Sequence, residues 1–323
     1  IYDCMKEDPS IYLFGEGAAV KQWYDARKIW EEFPHRITTL PISEDGNTNF
    51  AVGASLVGIK PIVDIISGDF LYRAMDSICN TAAKLDFVSG KQHTIVIRAE
   101  FLLGGPTTGQ RIESLFTHIP GLRVVMPSTP RDAYGLMRTA LETPGVTLLL
   151  EDRMIADTGP WLEDDLELAG GFIPFGASNW RMKGQRGNVT IVTYGIMRQV
   201  VERALGPYIV NGKDSRTDFF DKNAHLRCDV IDLRSLYPID FAFLRKMLER
   251  TGKLLIVEPD VTYGGIGAEI AATINEALPH VRIKRLGAPR TTIPASPALH
   301  SQMMSTEEEI LAAISDINPA LDI

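Results

Sequence analysis

Glu44 and Asp45 stand in the string Pro41-Ile42-Ser43-Glu44-Asp45-Gly46-Asn47, between a β-branched run and the apolar stretch 50–57. That order places both carboxylates at the carboxyl end of a strand, where open α/β sheets bind their ligands. The competing reading is helix capping, with the two acids facing the positive end of the next helix. A second string, Gly104-Gly105-Pro106-Thr107-Thr108-Gly109-Gln110-Arg111, is a polar glycine-rich loop whose backbone can approach a ligand closely, or a surface turn. A third, Tyr263-Gly264-Gly265-Ile266-Gly267, resembles a phosphate-cradling turn at a helix start, although tight strand-to-helix turns need glycine anyway. His118, in Thr117-His118-Ile119-Pro120-Gly121, is either an acid or base or a hydrogen-bonded structural histidine. The six histidines lack metal-ligand spacing, and no Gly-x-Ser-x-Gly elbow or Walker sequence occurs.

Short β-branched runs alternate with longer amphipathic stretches, the pattern of α/β domains built on mostly parallel sheets. Strands are expected at 11–14, 36–41, 61–66, 93–100, 123–127 and 146–151, with helices between them. Across 69–84 the apolar residues Phe70, Ala74, Ile78 and Ala82 recur at four-residue spacing and predict one buried helical stripe. From 153 to 187 the periodicity fades into Gly-, Pro- and Asp-containing sequence and reads as a linker. A second α/β pattern follows, with strands at 189–194, 228–233, 253–258 and 281–286 and helices at 197–205, 241–251, 267–277 and 306–314. The expected organisation is a domain at 1–152, a linker at 153–187 and a domain at 188–323.

The bulk properties exclude several classes. At 323 residues the chain is long enough for two cores, and no apolar run approaches the roughly 18 residues of a membrane span. With 41 acidic against 33 basic residues, intermingled, the basic stripe of a nucleic-acid binder is missing. The three cysteines contain no Cys-x-x-Cys pair and fit reduced thiols in a cytoplasmic setting, a mitochondrial matrix or a plastid.

Several strings together resemble the β subunit of the E1 component of thiamine diphosphate-dependent 2-oxo acid dehydrogenases, a transketolase-like family. They are Leu13-Phe14-Gly15-Glu16, Pro41-Ile42-Ser43-Glu44, Asp69-Phe70 with Ala74-x-Asp76, and His118-Ile119-Pro120-Gly121-Leu122. Tyr194-Gly195, Glu258 with Gly264-Gly265-Ile266-Gly267-Ala268-Glu269, and Gly287-Ala288-Pro289 extend the match nearly to the C-terminus. The resemblance implies a pyrimidine-binding domain followed by a transketolase C-terminal-like domain through which the protein self-associates. It implies that Glu44 hydrogen-bonds N1′ of the cofactor's aminopyrimidine, a role in which a carboxyl group in an apolar cleft can exchange a proton at neutral pH. Phe70 falls where the family sets an aromatic ring against the pyrimidine, and Glu16 and Ile42 fall at the same pocket. The family's Gly-Asp-Gly…Asn motif for the diphosphate and magnesium is missing, so no metal site is expected in this chain. An E1 α-like partner is expected to supply the diphosphate and Mg site in an α2β2 tetramer.

The sequence departs from the family at one loop. Where relatives carry His-Ser this chain has Thr108-Gly109, and threonine cannot act as an acid or base near pH 7. Acyl transfer to a lipoyl E2 partner is thereby put in question, while decarboxylation, which uses the cofactor as electron sink, is less affected. Arg73 and Arg111 can fork onto a carboxylate or phosphate of a substrate, or form surface salt bridges. Three readings follow: a decarboxylating β subunit, a carboligase that passes its unit to a small acceptor, and a non-catalytic assembly subunit.

Overall fold

The computed structural model describes residues 1–16, 27–102, 104–157, 171–182, 189–205 and 228–319. Two compact units divide the chain, Ile1–Phe175 with Ser235–Pro238, and Gly176–Arg234 with Ile239–Ile323. The first contains α1 (Tyr2–Glu7), β1 (Ile11–Gly15), α2 (Arg27–Glu32), β2 (Ile37–Thr39), α3 (Glu44–Leu56) and β3 (Lys60–Ile65). It continues through α4 (Leu85–Ser89), β4 (Thr94–Phe101), α5 (Glu113–Thr117), β5 (Leu122–Val125), α6 (Pro130–Glu142) and β6 (Gly145–Asp152). Beyond these lie β7 (Asn179–Met182), β8 (Thr190–Thr193), α7 (Ile196–Ala204), β9 (Asp229–Asp232), β10 (Ser235–Tyr237) and α8 (Phe241–Thr251). The chain closes with β11 (Lys253–Val261), α9 (Ile266–Ala277), β12 (Arg282–Ala288), α10 (Pro297–His300) and α11 (Glu307–Ile317).

Among the described residues the first sheet runs β10-β5-β6-β4-β3-β1-β2, parallel except where β10 pairs antiparallel with β5. In its middle, Ile95, Val96, Ile97 and Ala99 of β4 are fully buried, as befits a parallel strand covered on both faces. On one face α6 packs Leu136, Met137, Ala140 and Leu141 against Leu13, Ile62, Val96 and Leu149. Helix α6 begins where Thr129 accepts from the Asp132 N–H and Pro130 presets the first turn. The order β3-β1-β2 puts the two successors of β1 on opposite sides of it. Such a reversal opens a crevice at the carboxyl ends of the strands, where Glu16 follows β1.

The second sheet runs β12-β11-β8-β9-β7, parallel except for β7 against β9. Ile310, Ala313, Ile314 and Ile317 of α11 pack on Val189, Ile191, Val230 and Leu255, and a Thr306/Glu309 capping box starts that helix.

Two expectations change. The stretch 69–84 is not one α-helix: a 3-10 segment spans Gly68–Ala74, a π turn Ser77–Thr81, and a 3-10 turn Ala82–Lys84. At about three residues per 3-10 turn, four-residue spacing rotates a side chain by roughly a third of a circle. Ala74, Ile78 and Ala82 are therefore buried while Phe70, inside the 3-10 segment, is only half-buried. The linker region 153–187 lies partly outside the described residues, but its 179–182 portion is a sheet strand, not a spacer. Trp180 anchors it, donating its indole N–H to Asp229 at 3.0 Å beneath the Arg250 guanidinium. A four-residue edge strand is too short to betray itself by alternation.

Candidate functional site

The first turn of α3 forms because Ser43 caps it, its hydroxyl accepting from the Gly46 N–H at 3.3 Å. Asn47 ties the turn to the preceding chain by donating to the Pro41 carbonyl at 3.1 Å. Glu44 then sits at the first helical position, where the helix dipole favours an anion. It is 3% exposed, yet its carboxylate has no hydrogen-bond donor among the described residues. Arg73 Nε stands 3.6 Å from Glu44 Oε2 on a side chain that is 77% exposed, so this cation is screened and displaceable.

Glu16 joins the same group by accepting from the Ser43 N–H at 3.2 Å. Burial lifts the Glu16 carboxyl above the usual carboxylate range, the charge of Glu44 lifts it further, and the Ser43 N–H opposes both. The crevice thus holds two acids of which Glu16 retains a proton more readily than an exposed glutamate. Phe14 of β1 and Phe50 of α3 meet edge to face at 5.0 Å and tie the two elements that carry these acids. Ile42 is 85% exposed on the turn before α3. The 3-10 segment carrying Phe70 and Arg73 packs against α3.

The glycine-rich loop lies at the end of β4. Thr108 folds back onto it, its hydroxyl accepting from the Gly105 N–H at 3.2 Å. Arg111 is drawn inward, pairing with Asp152 and lying over the Phe101 ring at 4.5 Å. Of the three residues expected at a substrate, Arg73 reaches Glu44, Thr108 closes its own turn, and Arg111 is engaged within the fold. Two residues of the quoted strings that were given no role join the loop to the Phe70 segment: Asp69 Oδ1 accepts from both the backbone N–H and Nε2 of Gln110. The string Asp69-Phe70 was the visible signal, but a contact spanning 41 residues leaves no local periodicity.

The remaining candidates resolve differently. His118 is exposed after α5. The turn 263–267 holds no phosphate cradle, because the Glu258 carboxyl fills it: Oε2 accepts from the Gly267 N–H at 2.8 Å. Among the described residues no group of three or more His, Cys, Asp or Glu is placed to hold a metal ion, and no helix is long and apolar enough to cross a membrane.

Comparison with known proteins places this geometry. Residues 1–157 match the transketolase pyrimidine-binding domain and residues 221–310 the transketolase C-terminal domain. The chain is 31% identical to the β subunit of acetoin:2,6-dichlorophenolindophenol oxidoreductase of Cupriavidus necator, covering 96% of this chain and 92% of that one. It is 29% identical to the pyruvate dehydrogenase E1 component subunit beta of Rickettsia bellii, over 98% and 96% of the two chains. It is also 29% identical to the 2-oxoisovalerate dehydrogenase subunit beta of Bacillus subtilis, over 97% and 94%. A solved split-gene transketolase, an inactive beta4 tetramer, shares the fold with a TM-score of 0.79 at 20% identity, over 99% of this chain and 95% of that one. With the two-domain α/β fold, both family domains in order and near-complete coverage, the chain belongs to the E1 β-subunit family of thiamine diphosphate-dependent 2-oxo acid dehydrogenases.

Proposed function

We propose that this chain is the β half of an enzyme that decarboxylates a 2-oxo acid and hands on the acyl unit, and that Glu44 is its catalytic residue. The observation that carries the reading is a carboxylate 3% exposed that no described residue satisfies by hydrogen bonding. Facing only an exposed guanidinium at 3.6 Å, such a carboxylate keeps its acceptor capacity for a ligand. A protonatable ring nitrogen, as in an aminopyrimidine, is the fitting complement. When bound, thiamine diphosphate supplies the nucleophilic carbon and the electron sink for decarboxylation.

The chain's own groups have separable tasks. Glu44 binds the ring nitrogen and moves a proton to or from it. Glu16 holds the Ser43 N–H and, by keeping a proton more readily, limits repulsion against Glu44. Phe70, on the segment packed against α3, covers one face of the ring, with Ile42 at the pocket mouth. Arg73, exposed and only 3.6 Å from Glu44, would be displaceable by the ring and would then be placed to face the anionic donor. Gly-Asp-Gly is not in the chain, so the diphosphate and Mg are held by an E1 α-like partner in an α2β2 assembly, with β–β pairing through the second unit. The relatives' names favour this reading over a carboligase or a non-catalytic assembly subunit.

Native mass spectrometry of the chain with its α-like partner tests the assembly. An α2β2 mass that retains two thiamine diphosphates, and loses them in Glu44→Ala, is the expected result. Tight cofactor binding by this chain alone would overturn the shared site.

A further inference from the structure

The loop that carries Thr108 is fastened in two directions at its far end. Gln110 donates twice to Asp69 Oδ1, from its backbone N–H at 3.2 Å and from Nε2 at 2.6 Å. The next residue, Arg111, pairs with Asp152 at the end of β6 and covers Phe101. Phe101 in turn presses on Gly68, where a Cβ would come within 2.5 Å of the ring. Asp69 is 6% exposed, so donors from Gln110, with the Ser67 hydroxyl at 3.5 Å, stand in for the water it has lost. At the tip, Thr108 closes on Gly105 through its N–H at 3.3 Å and its hydroxyl at 3.2 Å. A stiff turn is thus bolted to the residue immediately before Phe70.

Resting on the reading of this crevice as the cofactor's pyrimidine pocket, we propose that Asp69 and Gln110 form a positioning latch. It sets the Thr108 loop against the Phe70–Arg73 segment and thereby selects the acceptor of the acyl unit. Two donors from one residue onto a single carboxylate oxygen fix both the height and the twist of the loop. Neither residue touches the reacting atoms; both act through the loop and through Phe70. A misplacement of about 1 Å can cost on the order of a hundredfold in a step that needs two reactants aligned. A bulky acceptor feels that loss, whereas a small diffusing oxidant does not.

The test uses the complete complex with thiamine diphosphate and Mg, comparing wild type, Gln110→Ala, Gln110→Glu, and the double variant Asp69→Asn/Gln110→Glu. Gln110→Glu sets carboxylate against carboxylate, and adding Asp69→Asn restores an amide–carboxylate bond with donor and acceptor exchanged. Two rates are measured on one 2-oxo acid: ferricyanide reduction and acylation of an isolated lipoyl domain. The ratio of acylation to ferricyanide reduction is expected to fall at least about tenfold in both single Gln110 variants. It should return to within about threefold of wild type in the double variant. Amide hydrogen exchange across 104–110 is expected to rise and recover in the same order. An active wild type whose ratio is unmoved by Gln110→Glu, or not rescued in the double variant, overturns the latch alone. A wild-type complex inert toward 2-oxo acids overturns the functional reading itself, and the acceptor role with it.

Discussion

Glu44 and Glu258 are both buried glutamates beside the first turn of a helix, one in each unit, and the difference lies in what caps that helix. At α3 the Ser43 hydroxyl takes the cap, leaving the Glu44 carboxylate without a donor among the described residues. At α9 the cap position is Gly265, which has no side chain to offer, and Glu258 Oε2 accepts from the Gly267 N–H instead. The glycines there serve close approach: a Cβ on Gly267 would lie 2.5 Å from Glu258 Oε1. Burial pushes the Glu258 carboxyl up to about 7, the Gly267 N–H opposes the rise, Asp260 adds to it, and Arg285 opposes it. Similar residues at similar positions therefore diverge. At α9 one oxygen of Glu258 is taken by its own helix while Oε1 lies buried without a hydrogen-bond partner among the described residues. The serine cap at α3 instead leaves both Glu44 oxygens open to a ligand.

The contrast can be broken most sharply at Glu44. Glu44→Ala in the reconstituted complex is expected to lower steady-state turnover by about a hundredfold or more while circular dichroism stays unchanged; turnover near wild type would erase the distinction. Glu258→Gln addresses the other half. Because the folded-state value is raised from 4.5 to about 7, the folded protein binds more protons across that interval. Its contribution is full below pH 4.5 and is lost as pH rises through about 7. The wild-type unfolding free energy should fall over that range by about 3 kcal/mol more than that of the glutamine variant. Removing the cap sharpens the first half: Ser43→Ala is expected to cost about 1 kcal/mol in urea unfolding and to weaken cofactor binding. The smallest effect belongs to Arg73→Gln, which removes a competitor of the ring nitrogen. Calorimetry should show thiamine diphosphate bound up to about fivefold more tightly, less so in high salt.

Much of the scaffold was legible because burial writes itself into periodicity. The Ile95–Ile97 run announces a covered parallel strand, and the helix expected at 241–251 is α8 with those same bounds. The capping reading of Glu44 and Asp45 likewise marks the start of α3, although the cap itself is Ser43. What stayed hidden depends on contacts distant in sequence or on local winding. Phe70 shares a spacing with Ala74 but not a face, because the segment winds as a 3-10 helix. Arg111 looked available from its loop, yet Asp152, 41 residues on, takes it up. The turn 263–267 read as a phosphate site because a glycine pattern does not say whether its occupant is a ligand or the chain's own carboxyl.

Strand β10 has a bearing on how the molecule is made. It closes the β5 edge of the first sheet, yet its residues follow Val125 by roughly a hundred positions, after the start of the second unit. On a ribosome moving at about 5–20 residues per second, that edge waits on the order of ten seconds for its neighbour. Maturation of the N-terminal sheet is therefore not strictly vectorial. A gene cut between the two units would yield an N-terminal fragment whose β5 backbone remains open to whatever strand reaches it first.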